Sequence, residues 1–118
     1  ASFRVSPGLQ SIQYLPMTEC RREGDTRSTY SELVSAKDLD VRMTWKEIGE
    51  PYAFDMPASK GPTKRHQMYS LFLDSPDAEI AVNGARLRGH VVERDFADTR
   101  KSTAFLAFSE SWMEVAAD

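Results

Sequence analysis

Residues 78–88 read Ala-Glu-Ile-Ala-Val-Asn-Gly-Ala-Arg-Leu-Arg, and the Asn83-Gly84 pair at their centre decides the fold. Asn-Gly favours a two-residue type I′ turn, because both central positions of that turn need a positive φ. Apolar and polar residues alternate on both sides of the pair, which is the period of a half-buried strand. The stretch therefore predicts an antiparallel hairpin with strands at 78–82 and 85–94.

The turn also sets the register of this hairpin, because a two-residue loop places Val82 opposite Ala85. The next pairs are Ala81 with Arg86, Ile80 with Leu87 and Glu79 with Arg88. The face expected to be buried against the core carries Ile80, Val82, Ala85, Leu87, Gly89 and Val91. The outer face carries Glu79, Ala81, Arg86, Arg88, His90 and Arg94.

Three further stretches are interpreted as strands. Residues 39–48 alternate apolar and polar side chains, as a half-buried strand does. Residues 68–73 are apolar on both faces, which is typical of a central strand covered on each side. Residues 102–109 are read as a strand that gives way to a short helix or tail, although the aromatic spacing there also fits a helical stripe.

The first half of the chain gives weaker signals. Residues 3–5 and 11–15 are read as two short strands, and residues 19–28 as a polar turn. A threonine with a glutamate three positions on matches a capping box and predicts a short helix at 30–38. Residues 49–65 carry three prolines and two glycines and are read as a long loop, whose first half is expected to lie extended against the core.

These elements predict a mainly β fold of five to seven mostly antiparallel strands, barrel-like or sandwich, with one or two short helices. An α+β sheet with helices on one face is the alternative. We expect one domain over residues 1–118, because 118 residues is close to the commonest length of a single domain. Two apolar stretches, 68–73 and 104–108, predict a homodimer or larger assembly, because large apolar patches are rare on monomers.

Composition excludes several classes of protein. Hydrophobic residues are 41% and charged residues 28%, which excludes disordered and membrane-spanning classes. The net charge of −3 argues against a dedicated nucleic-acid coat. Cys20 stands alone and cannot form an intrachain disulfide, so a cytoplasmic location is expected. A small residue at position 1 fits methionine removal or leader cleavage, and the former is favoured.

No motif in the sequence predicts catalysis. Nucleotide hydrolysis is disfavoured because the Gly-Lys-Ser/Thr ending of a phosphate loop is missing. A hydrolytic triad around His90 fails because a regular strand points His90 away from Glu93 and Asp95. The two histidines and one cysteine show no paired metal-ligand spacing. We therefore predict no catalytic residues, no metal and no cofactor.

Binding is the function class that the sequence favours. The candidate binding residues are basic or aromatic and lie on the hairpin and the long loop: Arg86, Arg88, His90, Arg94, Lys60, Lys64, Arg65, Tyr52 and Phe54. The leading hypothesis is a non-enzymatic domain that binds a protein partner or itself. The alternative is a single-stranded nucleic-acid-binding module with a basic and aromatic surface. A small-molecule enzyme or ligand-binding barrel comes third.

Overall fold

The computed structural model of the chain describes residues 11–96 and 98–115. This part of the chain is mainly β, and every strand pair is antiparallel. The predicted mainly β class is therefore confirmed, and the α+β alternative is wrong. The strands are β1 (Met17–Gly24), β2 (Tyr30–Ala36), β3 (Leu39–Lys46), β4 (Pro51–Met56), β5 (His66–Asp74), β6 (Asp77–Val82), β7 (Ala85–Arg86), β8 (Glu93–Phe96), β9 (Thr99–Ser102) and β10 (Phe105–Glu114). A short 3₁₀ helix, Ala58–Lys60, lies between β4 and β5.

The strands form three sheets. Sheet A has five strands in the order β1-β2-β3-β6-β7, and sheet B has three in the order β10-β5-β4. Strands β8 and β9 form a separate ribbon. None of these sheets closes into a barrel within residues 11–96 and 98–115, so β1, β7, β4 and β10 are edge strands.

The helix predicted at 30–38 is wrong, because these residues form strand β2 in the middle of sheet A. Pairing with β3 satisfies the backbone along this strand and overrides the local capping signal. Glu32, the proposed capping residue, instead accepts a hydrogen bond from the Tyr30 hydroxyl at 2.8 Å. Ser31 and Thr44 are buried, and their hydroxyl oxygens lie 2.9 Å apart.

The polar turn predicted at 19–28 is also wrong, because β1 extends to Gly24 and only residues 25–29 turn. All eight residues of β1 are exposed, which explains why its sequence lacks an apolar alternation. Residues 11–15 form no strand, contrary to prediction, and residues 3–5 lie outside the described part of the chain.

Three predicted elements in the second half of the chain have different residue bounds in the structure: the loop at 49–65, the strand at 68–73 and the last strand. The loop predicted at 49–65 is interrupted by β4, in which Tyr52, Phe54 and Met56 are half-buried and alternate with exposed residues. Strand β5 is central in sheet B, as predicted. The last strand, β10, runs to Glu114, so the helix expected after residue 109 is wrong.

The hairpin turn is confirmed, but its second strand is much shorter than predicted. Asn83 and Gly84 have φ of 49° and 81°, and Val82 pairs with Ala85. Strand β7 ends at Arg86, and three residues later Gly89 takes a φ of 125° that no regular strand contains. The strand predicted to run to residue 94 is therefore wrong.

The predicted burial on this hairpin is wrong as well. Ile80 and Leu87 remain 44% and 49% exposed. Among the described residues the buried hydrophobic side chains are those of Ile48 and Leu73, while five buried residues are small and polar: Ser31, Thr44, Ser70, Ser75 and Ser102. The interior of this chain is therefore small, and much of its apolar surface faces outward.

Substituting Gly84 tests the confirmed turn. We expect Gly84→Val to lower the free energy of unfolding by more than about 1 kcal/mol, because a β-branched residue resists positive φ. A Cβ at this position meets nothing within 4 Å, so the loss would come from backbone strain and not from a clash. Gly84→Asn is the control and should lose less, since asparagine tolerates this region. Equal urea midpoints for both variants would contradict the turn.

Candidate interaction surface

The segment after β7 and the adjacent strands of sheet A line an open cavity of about 320 Å³. Met43, Ile80 and Leu87 contribute apolar lining, and the residues from Arg86 to Val91 border it on one side. Three of the sequence-predicted binding residues therefore meet at this cavity: Arg86, Arg88 and His90. An apolar lining beside cationic side chains suits a partner that presents apolar groups next to acidic ones.

Arg86 is not a free cation in this cavity, because it shares the carboxylate of Glu79 with Lys46. The Glu79 carboxylate lies 3.4 Å from Arg86 Nε and 3.5 Å from Lys46 Nζ. The sequence predicted Arg88 opposite Glu79, but β7 ends before Arg88 can pair. Arg88 and His90 are exposed, and neither forms an ion pair with an acidic side chain of residues 11–96 and 98–115.

Arg94 lies apart from the other three hairpin residues. It belongs to β8, which pairs with β9 and not with sheet A. Its guanidinium lies over the rings of Phe96, at 5.4 Å from the centroid, and Phe105, at 6.0 Å. The four basic side chains predicted on one strand face are therefore divided between two places in the fold.

Arg94 instead joins an aromatic cluster between sheet B and the β8–β9 ribbon. The rings of the cluster are Tyr52, Phe54, Phe72, Phe96 and Phe105, with centroid distances between 4.8 and 6.2 Å. Lys101 Nζ lies 4.1 Å from the Tyr52 centroid and adds a second cation–π contact. Sequence analysis missed Lys101 and Phe96, because nothing local in residues 93–102 indicated a second hairpin.

This packing bears on Tyr52 and Phe54, which sequence analysis proposed as binding residues. Phe96 lies 4.8 Å from Phe54 between ring centroids, and Lys101 covers the Tyr52 ring. Burial raises the pKa of the Tyr52 hydroxyl above its usual value of 10.0; the Asp74 carboxylate adds to this, and Arg94 opposes it. Both rings hold the ribbon against sheet B, which leaves them little free face for stacking on a base.

The loop residues Lys60, Lys64 and Arg65 form a third group, between β4 and β5. Lys64 has a φ of 62°, and its ammonium donates to the Ser59 carbonyl at 3.0 Å. The carbonyl of Arg65 accepts a hydrogen bond from Val115 N at 2.9 Å, where β10 ends. None of the three residues lines the hairpin cavity.

A run of exposed apolar side chains follows β10, one of the two edge strands of sheet B. The exposed fractions there are 37% for Phe105, 53% for Phe108, 43% for Trp112, 63% for Met113 and 46% for Val115. The Trp112 indole donates to Glu110 Oε1 at 2.7 Å, which orients the ring along the edge. Sequence analysis predicted an outward apolar surface at 104–108, and the exposed run continues beyond it to residue 115.

Neither a metal site nor a membrane-spanning helix is found among the residues that the structure describes. No group of three or more histidine, cysteine or acidic side chains within residues 11–96 and 98–115 is arranged to hold a metal ion. In those residues no helix is long and apolar enough to cross a membrane. Comparison with models of known protein families, with curated proteins and with solved structures gives no match. The geometry of the chain therefore carries the functional interpretation.

The raised pKa of Tyr52 predicts how stability depends on pH. A pKa above 10.0 in the folded chain means that folding favours the protonated hydroxyl. This contribution is complete below pH 10 and is lost as the pH rises through the raised value. We expect wild type to lose more stability than Tyr52→Phe between about pH 8 and about pH 11 in urea melts. Tyr69→Phe, on the same sheet but outside the aromatic cluster, is the control for removing a tyrosine hydroxyl elsewhere on sheet B.

Proposed function

We propose that this chain is a non-enzymatic interaction domain that associates with copies of itself or with another protein. Its antiparallel sheets supply the scaffold, and the hairpin cavity and the β10 edge supply the contacts. The single observation that carries the proposal is the apolar surface left outside: Trp112, Met113, Ile80 and Leu87 are all more than 40% exposed. Apolar surface of this extent on a soluble domain marks an interaction site.

Two observations favour a protein partner over a nucleic acid. Glu79 neutralises part of the charge of Arg86 and Lys46, and the chain as a whole carries a net charge of −3. Tyr52 and Phe54, the rings proposed to stack on bases, are engaged with Lys101 and Phe96. The small-molecule alternative required a binding site at the mouth of a closed barrel. The sheets of residues 11–96 and 98–115 do not close into a barrel.

Measuring the mass in solution tests the proposal. If the chain associates with itself, light scattering at micromolar concentration should give a multiple of 13.3 kDa. If it binds another protein, a mixture of the two should give a mass larger than that of either protein alone. Met113→Ser should weaken association by at least about tenfold, because burial of a methionine side chain is worth ~1.5–3 kcal/mol. Its melting temperature, measured in dilute solution where wild type and variant are both monomeric, should hardly change, since Met113 is 63% exposed.

Lys37→Ser is the matched control, because Lys37 is also exposed but lies in the β2–β3 turn. It should leave association unchanged. A stable 13.3 kDa monomer that captures no protein would overturn the proposal. Tight binding of a labelled single-stranded oligonucleotide, steeply weakened by salt and lost in Arg88→Glu, would favour the nucleic-acid alternative instead.

A further inference from the structure

Strand β10 offers a row of backbone groups at the open edge of sheet B. Val115 N donates to Arg65 O at 2.9 Å, so Val115 faces β5. Residues of an antiparallel strand face their neighbour alternately. The backbone N–H and C=O groups of Glu110, Trp112 and Glu114 therefore point away from β5. No strand of residues 11–96 or 98–115 pairs with this edge.

Strand β1 offers a matching row at the open edge of sheet A. Asp25 N donates to Thr29 O at 2.9 Å, which extends the pairing of β1 with β2. By the same alternation, the backbone groups of Cys20 and Arg22 point outward. All eight residues of β1 are exposed. An exposed edge strand of this length is a template for pairing with another strand.

The β10 edge is acidic and Arg22 of β1 complements it, although β1 as a whole is neutral because Glu19 and Glu23 balance its two arginines. Glu110 and Glu114 are the charged residues of β10, and no basic residue follows Lys101 in the sequence. Arg22 projects from β1 with 76% of its side chain exposed, and its contact to Glu32 is long, at 3.9 Å. Pairing of β10 with a second β10 would place acidic strands side by side, whereas β1 supplies a guanidinium at an outward position.

We propose that β1 of one copy adds antiparallel to the β10 edge of the next copy, with Arg22 opposite Glu110. This register places Cys20 opposite Trp112 and sets the whole of β1 against residues 108–115. A shift that places Arg22 opposite Glu114 would leave half of β1, residues 17–20, beyond residue 115. The inference rests on the proposed self-association and names the surfaces that carry it.

The two edges differ, so this contact is head-to-tail. Each copy keeps one free β1 edge and one free β10 edge after a first contact forms. Such contacts produce a ring where the rotation closes and a filament where it does not, in contrast to the closed pair made by two identical edges. Assemblies larger than a dimer are therefore the expected products.

Cysteine cross-linking tests the register directly, because Cys20 already stands at an outward position of β1. Hydrogen-bonded antiparallel pairs have Cα atoms about 5.5 Å apart, which a disulfide can span. Under mild oxidation, Trp112→Cys should form covalent ladders between copies, well above the level of wild type. Ser111→Cys is the matched control, since its backbone faces β5, and it should stay at the wild-type level.

A second pair keeps the test independent of Trp112. Arg22→Cys combined with Glu110→Cys in a Cys20→Ser background should form the same ladders. Cross-linking of Trp112→Cys in the Cys20→Ser background would overturn the proposal, because only β10 edges could then be meeting. Equal cross-linking by Ser111→Cys would overturn it too, as it would indicate random collision.

Charge exchange gives a reversible readout. Arg22→Glu and Glu110→Arg should each weaken association by about two- to fivefold, and the two together should restore it. Multimers of Trp112→Cys in which Cys20 forms no disulfide to the introduced thiol would overturn this register while the proposed self-association stands. A chain that remains a monomer at micromolar concentration would overturn both.

Discussion

The corner at Asp74 and Ser75 holds the sheets of this chain in their mutual arrangement. Ser75 is fully buried, and its hydroxyl lies 3.0 Å from the Lys46 carbonyl at the end of β3. Its backbone N–H donates to Ala104 O at 3.2 Å, just before β10. The Asp74 carboxylate accepts a hydrogen bond from Ser102 N at 2.7 Å, which anchors the β8–β9 ribbon. Sheet A, sheet B and the ribbon are thus joined where β5 turns into β6.

A corner made of small polar groups leaves little room for a large hydrophobic interior. Its hydrogen bonds fix direction well, but the area of apolar surface that they remove from water is small. Ile48 and Leu73 are buried beside it, while the outer parts of both sheets remain open to solvent. The scaffold is therefore defined by backbone pairing, and many of its apolar side chains remain exposed.

The same constraint separates residues that hold the fold from residues that are free to bind. Arg94 and Tyr52 look like surface binding residues in the sequence, yet they lie at the aromatic cluster that seats the ribbon on sheet B. Arg88 and His90 follow a strand that ends early, and they remain exposed at the hairpin cavity. An exposed cation beside apolar lining is the arrangement that favours binding of a protein partner.

The sequence by itself determined what depends on local backbone preference and side-chain period. The Asn83-Gly84 turn, the strand predicted at 39–48, which ends at Lys46, and the central strand β5 all follow from positive-φ preference and side-chain pattern within a few residues. Only the tertiary structure decided the rest, because residues 17–24 and 30–36 become strands through pairing with distant β-segments. The same holds for the position of Arg94, which depends on where β7 ends and which strand β8 then meets. Those choices are set by long-range hydrogen bonding and burial, which no window of local sequence contains.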